Sequence, residues 1–146
     1  MANKNENRDD LADVIASELN KQSKTHQVAY FLDGVMQEFI DKTNGKEAMK
    51  RTHKHAKKGR ALGLGVMGWH TFLQKKNLPF NSIASTAWTH TIMSKIKLEA
   101  EAASRKLAQE YGEPLWCQGT GMRNTHVMAI APTVSNSRIS LPYAIQ

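Results

Sequence analysis

Cysteine, long apolar runs and, through the middle of the chain, acidic charge are what this sequence has little of. Its single cysteine, Cys117, has no second thiol to pair with, and the histidines are too scattered to build a zinc site at the usual ligand spacings. Neither a disulfide nor a metal is expected to hold the chain together. No apolar run approaches the roughly 18 to 20 residues of a bilayer span, and residues 1–10 are polar and charged where a signal peptide would be apolar. A soluble, cytoplasmic protein with no membrane association is the expectation. Between Glu47 and Glu99 no acidic residue occurs, whereas Lys50, Arg51, Lys54, Lys57, Lys58, Arg60, Lys75, Lys76, Lys95 and Lys97 all fall there, within a chain of net charge +7. Such a stretch suits phosphates, from which it gains affinity by releasing counterions. A solvated face, or one that meets acidic surface in an assembly, explains it better.

With 146 residues, 40% of them hydrophobic, there is enough apolar material for one domain. From 9 to 43, Leu11, Val14, Ile15 and Leu19, then Val28, Phe31, Leu32, Val35, Met36, Phe39 and Ile40, recur at three- and four-residue steps, which predicts two helices or one bent one. Asn44-Gly45 is a helix stop, 46–58 reads as a short basic helix, and Gly59 is expected to end it. A glycine-rich apolar turn over 60–68 leads into an apolar-periodic stretch, 69–76, closed by Asn77-Leu78-Pro79. The longest periodic stretch is 82–111, with Ile83, Trp88, Ile92, Ile96, Ala100, Ala103 and Leu107 near one face and Gly112 and Pro114 beyond its end. Residues 115–122 read as a loop and 125–130 as a short buried strand. The fold class is therefore α/β, helix-rich, with too few strands to close a sheet, as in a part of something larger.

Several motifs have competing explanations. Gly63-x-Gly65-x-x-Gly68 has the spacing of a dinucleotide fingerprint, but the acid expected about 20 residues on is missing; close backbone packing is the better reading. No carboxylate lies near His53 and His55 or the scattered His26, His70, His90 and His126 to complete a triad or metal set, so packing or exposed roles are expected. Trp69, Trp88 and Trp116 could stack on bases, yet they lie on apolar faces or turns and are expected in the core. Pro132, Thr133, Val134, Ser135, Asn136 and Ser137 follow the expected strand and gather three hydroxyls and successive free N–H groups in one turn. That arrangement can bind phosphate oxygens, and it can equally cap a helix with nothing bound.

Three blocks in succession resemble the large (alpha) subunit of class I ribonucleoside-diphosphate reductase, especially its phage-type forms. They are Arg60-Ala-Leu-Gly-Leu-Gly-Val-Met-Gly-Trp-His-Thr-Phe-Leu-Gln74, then Gly119-Thr-Gly-Met-Arg-Asn-Thr-His126, then Ala129-Ile-Ala-Pro-Thr-Val-Ser-Asn-Ser137. The resemblance runs from about 28 to 140. It implies a segment of the later part of a ten-stranded α/β barrel, with 1–146 as one segment, a polar tail over 1–10 and a divergent tail over 141–146. By the same resemblance Pro132, Thr133, Val134, Ser135, Asn136 and Ser137 form the turn that holds the substrate diphosphate, Thr133, Ser135 and Ser137 donating from their hydroxyls.

The family's radical cysteine, the glutamate two residues beyond it, its redox cysteine pair and its relay tyrosines are not matched here, and Cys117 reads as a structural thiol. No catalytic, cofactor-binding or metal-binding residue is therefore assigned. The resemblance implies a fragment, inactive alone, that works with a nucleoside diphosphate substrate, the remaining large-subunit segments, a radical-generating small subunit bearing a metal and tyrosyl radical, and a thiol reductant, to make deoxyribonucleotides for DNA synthesis. Two other readings are a non-catalytic remnant whose basic helix binds nucleic acid or an acidic partner, and a chain too exposed in its apolar faces to fold alone.

Overall fold

A computed structural model describes residues 23–132, most of which lie in four helices and the turns that join them. The first helix, α1 (Lys24–Thr43), begins where Ser23 adopts an extended backbone and its Oγ accepts the His26 N–H at 3.2 Å. It ends where the Thr43 hydroxyl folds back on the Phe39 carbonyl at 2.7 Å and Gly45 turns left-handed at φ 73°. Ala29, Asp33, Ile40 and Thr43 are its buried residues, spaced so that they share one face. The helix expected over the earlier part of 9–43 lies outside the described residues.

After a 3-10 turn (Glu47–Met49) comes the basic helix α2 (Lys50–Gly59). Gly59 ends it, as expected. It is the last helical residue, and the left-handed position falls to Arg60, at φ 45°. Packing explains the order: a Cβ on Gly59 would stand 2.6 Å from Cε3 of Trp116, so only glycine fits there. A non-glycine residue in that left-handed region costs roughly 1–3 kcal/mol and persists only where its surroundings hold it. For Arg60 they do, as shown below.

Residues 61–67, outside any helix, lead through the left-handed Gly68 into α3 (Trp69–Lys75), and α4 (Ile83–Tyr111) follows, started by Ser82, whose Oγ accepts the Ser85 N–H at 3.1 Å. The packing centre lies on the second half of α4, where Ala100, Ala103, Leu107 and Ala108 are buried, and α1 lies against that helix. Small side chains here let the two helix backbones approach closely. Elsewhere Leu62, Leu73 and Cys117 are buried.

Among the described residues no strand is longer than a single bridge. Leu64 pairs with Met128 in parallel, through the Leu64 N–H to the Val127 carbonyl and the Ala129 N–H to the Leu64 carbonyl, both 3.1 Å; the Leu62 N–H also reaches the His126 carbonyl at 2.8 Å. The short strand expected over 125–130 is thus extended backbone paired on one side, and it is not buried: Ile130 is fully exposed. The glycine motif serves this contact. A Cβ on Gly65 would meet the Ala129 carbonyl oxygen at 2.9 Å, and one on Gly63 the Ala129 Cβ at 3.1 Å. Close packing is what those glycines allow.

The tryptophans depart from expectation. Trp88 and Trp116 are 41% and 49% exposed, and Trp69 is half-buried in a stack with Phe72. Phe72 meets Trp88 edge-on, so Trp69, Phe72 and Trp88 form a surface cluster instead of a core, while Trp116 packs apart from them against His55.

Candidate functional site

The most highly connected group of side chains sits where the 123–124 segment crosses α1 and the end of α2. Asp33 lies in the middle of the inward face of α1, a charged residue where the helical spacing calls for an apolar one. Its carboxylate is saturated. Oδ1 accepts from Arg60 Nε at 3.0 Å and Asn124 Nδ2 at 2.9 Å, while Oδ2 accepts from Arg60 Nη2 and Arg123 Nε, each at 2.9 Å. Burial alone would push its carboxyl up, but the hydrogen bonds from Arg60, Arg123 and Asn124 outweigh that and hold it below the usual carboxylate range.

Each partner is then held by a second contact. Arg60 also donates to the Asp33 carbonyl at 3.0 Å and to Gln37 Oε1 at 2.7 Å, which fixes the left-handed residue in place. Asn124, 1% exposed, donates from Nδ2 to the Arg60 carbonyl at 2.9 Å and accepts on Oδ1 from the Ser104 hydroxyl at 2.8 Å. The Ser104 Oγ in turn accepts the backbone N–H groups of Arg123 and Asn124 at 3.1 and 3.0 Å. Two guanidiniums facing one carboxylate leave an excess positive charge. Arg123 Nη1 answers it by donating to the Tyr111 and Gly112 carbonyls, each at 2.9 Å, at the negative end of the α4 dipole, with Tyr111 stacked beside it.

Every side chain of this joint is engaged by another part of it, an arrangement that holds backbone segments together. It ties α1, the end of α2 and α4 to the point where 125–132 departs. From there the Thr125 N–H reaches the Gly59 carbonyl at 3.0 Å, and the extended segment runs along 62–64 to Pro132. Pro132 is exposed at the end of the described chain. Thr133, Val134, Ser135, Asn136 and Ser137, the rest of the candidate phosphate turn, lie outside the described residues. Of the joint, Arg123 and Asn124 stood inside a recognisable block with no role assigned, and Asp33 and Ser104 were missed. The available signal was placement: each is a polar residue flanked at helical spacing by Ala29 and Ile40, or by Ala100, Ala103 and Leu107.

Other groups have packing roles. Glu113 accepts the N–H groups of Gly119 and Gly121 at 2.6 and 2.9 Å, closing the turn between α4 and the joint. Burial, with Glu113 near it, pushes the Cys117 thiol up, which suits an unreactive side chain. His53 Nδ1 lies 3.1 Å from the Thr43 hydroxyl, and His55 packs edge-on against Trp116. Among the described residues no group of three or more His, Cys, Asp or Glu could hold a metal ion, and no helix is long and apolar enough to cross a membrane.

Residues 11–116 match the model of the ribonucleotide reductase barrel domain, well over half the chain. The chain belongs to the ribonucleotide reductase barrel-domain family. Over 107 residues it is 39% identical to a putative ribonucleoside-diphosphate reductase large subunit of Frog virus 3, an alignment that takes in 73% of this chain and 19% of that protein. A vitamin B12-dependent ribonucleoside-diphosphate reductase of Thermoplasma acidophilum is 35% identical over 102 residues, 65% of this chain and 13% of its own length. Among solved structures, the class Id ribonucleotide reductase alpha subunit of Actinobacillus ureae superposes with a TM-score of 0.77 at 42% identity, covering 80% of this chain and 22% of that one. The chain spans about a fifth or less of the length of these ribonucleotide reductases. The stretch matched to the barrel-domain family includes Asp33, Arg60 and Ser104 and stops before Arg123 and Asn124, so the joint straddles its end.

Proposed function

We propose that this chain is the part of a ribonucleoside-diphosphate reductase large subunit that binds the substrate diphosphate. The observation that carries the reading is the likeness to the Actinobacillus ureae alpha subunit, 42% identical over four-fifths of this chain. In this reading 62–64 and 126–129 are two neighbouring parallel strands of the ten-stranded barrel. The parallel bridge and the close approach at Gly63 and Gly65 support it, since parallel strands are otherwise joined only through a long crossover such as 65–125 provides. The second strand then delivers Pro132, Thr133, Val134, Ser135, Asn136 and Ser137 as a turn whose backbone N–H groups and hydroxyls receive the phosphate oxygens.

The joint around Asp33 would fix the root of that strand, holding the turn where binding energy requires it. Chemistry at the ribose falls to the remaining large-subunit segments, with electrons from a thiol reductant and the radical from a metal- and tyrosyl-radical-bearing small subunit. In this reading the chain's own part is substrate binding alone. The relatives include a reductase named as B12-dependent, which fits a segment that handles substrate and leaves the source of the radical to other parts.

Co-expression with the rest of a large subunit, then purification and assay of deoxynucleotide formation with small subunit and dithiol, tests the reading. A stable complex is expected, with the KM for nucleoside diphosphate raised on the order of tenfold or more, and kcat/KM lowered accordingly, when Thr133, Ser135 and Ser137 are all changed to alanine. A complex whose activity and KM ignore those changes would remove the phosphate role; no complex at all would remove the fragment reading.

A further inference from the structure

We propose that the outward face of α2, together with Trp116, docks an acidic polypeptide segment carrying one apolar or aromatic anchor. Five of the ten residues of α2 are cationic, Lys50, Arg51, Lys54, Lys57 and Lys58, and none is acidic. Only Lys50 has an ion pair, with Glu47; Arg51, Lys54, Lys57 and Lys58 have none among the described residues. The pattern works against the helix itself. Lys50 and Lys54, and Lys54 and Lys58, are like charges at i,i+4, Arg51 and Lys54 at i,i+3, each unfavourable by a few tenths of a kcal/mol, and the cations at 50 and 51 oppose the dipole at its positive end. Lys57 and Lys58 suit the C-terminal turn, but the other three do not serve helix stability. An external counter-charge gives them a use.

The surface is shaped as well as charged. A hollow of about 200 Å³ opens between Arg51, Lys54, His55, Lys58 and Trp116, and a second, of about 430 Å³, lies on the other side of Lys54 and Lys58 over Pro114 and Leu115. Trp116 is half exposed yet held in place, with its six-membered ring against Gly59 and a T-shaped contact to His55 at 5.1 Å between centroids. An aromatic already fixed in orientation loses little entropy on binding, the property of an interface anchor. The helix is about 15 Å long, which matches four or five residues of an extended peptide at about 3.3 Å each. A duplex would spread its phosphates well beyond these cations, and Pro114 and Leu115 offer it nothing to bond, so a polypeptide is favoured over nucleic acid.

Fluorescence anisotropy of the full chain against a labelled peptide with two Asp-Glu pairs flanking one phenylalanine tests this, with its Asn/Gln counterpart and a 20-base-pair DNA duplex as comparators. The acidic peptide should bind, weaken on the order of tenfold between 50 and 200 mM salt, and lose at least tenfold with Lys54→Glu/Lys58→Glu. The equally charged control Lys75→Glu/Lys95→Glu, placed away from α2, should change binding less than threefold. Trp116→Ala should weaken binding while leaving its salt dependence intact. Equal losses with both charge-reversal pairs, equal binding of the neutral peptide, or tighter binding of the duplex would each overturn the proposal. None of these readings depends on reductase activity.

Discussion

The two halves of α4 differ as sharply as two separate helices. From Ala100 to Ala108 its inward residues are small, fully covered and crossed by α1 and the 123–124 segment. From Ile83 to Leu98 its apolar residues are larger and less covered: Ile83 is 91% exposed and Leu98 65%, while Ile92, Met93 and Ile96 are half-buried. Hydrophobic side chains of that size are placed where they can be buried, at roughly 1.5–3 kcal/mol each. The second half is therefore finished within the described residues, and the first half has the composition of a face awaiting a neighbour. A fragment of a barrel would divide in this way, since its helices pack both on each other and on strands it does not contain.

The largest effect is expected where the finished half is locked. Asp33→Ala leaves the guanidiniums of Arg60 and Arg123 without their carboxylate and takes the acceptor from one of the two Asn124 Nδ2 hydrogens, a change that costs about 3–5 kcal/mol. Helical circular dichroism on heating should show the cooperative transition lost or lowered by well over 10 °C. A shift no larger than that of a surface substitution would show that the joint contributes nothing. The same carboxylate gives a pH test. Its pKa is lower in the folded chain than unfolded, so its contribution is present above the unfolded value of about 3.9 and is lost as pH falls through the folded one. Melting temperature should therefore drop below about pH 4, and Asp33→Asn should flatten that drop.

A smaller effect separates the halves directly. Ala103→Leu forces a branched side chain into a fully covered position and should destabilise by about 1–3 kcal/mol, whereas Leu98→Ala should stay within about 0.5 kcal/mol in the chain alone. Urea denaturation of the two variants gives the ratio. Equal losses would mean that the halves of α4 are alike.

The α-helical parts of this contrast were legible in the sequence, because the three- and four-residue spacing that predicts α1 and α4 is imposed by local geometry. Their stops were legible too at Gly45 and Gly112, where a left-handed turn needs no tertiary partner. At Gly59 the helix stops as well, but there the left-handed residue is Arg60. Trp116, far along the chain, occupies the space of the missing Cβ, and Asp33 holds Arg60 in the left-handed conformation that glycine would otherwise supply. The joint was unreadable for a similar reason: Asp33 and Asn124 are 91 residues apart, and nothing local marks a buried carboxylate that four donors will meet. The tryptophans misled because hydrophobic periodicity reports that a side chain is to be covered and not by which part of a larger assembly. The phosphate turn rests on its block of residues alone, since only Pro132 falls within the described structure.

Gly59→Ala offers a finer test of the same lesson. On helix propensity alone the change should stabilise α2 by somewhat under about 1 kcal/mol. Contact with Trp116 at 2.6 Å opposes it, and because the neighbour is a ring wedged against His55 and not the tip of a flexible chain, relief requires moving Trp116. A net loss of about 1 kcal/mol is expected in the single variant and a net gain in Gly59→Ala/Trp116→Ala relative to Trp116→Ala, the sign change being the readout of a double-mutant cycle.

The smallest effect in the chain alone belongs to Ile83→Asp at the open end of α4. With its side chain in water, and as the first helical residue after the Ser82 cap, an aspartate there meets the positive end of the dipole and should leave stability unchanged or raise it by a few tenths of a kcal/mol. Supplying the rest of a large subunit should reverse the sign, since the same carboxylate would then be buried against apolar surface. Co-purification yield of the two pieces, compared between the native chain and Ile83→Asp, reads that reversal. A yield unchanged by the aspartate would mean that the first half of α4 stays in water even in the assembly, and that its exposed apolar residues await some other partner than the barrel.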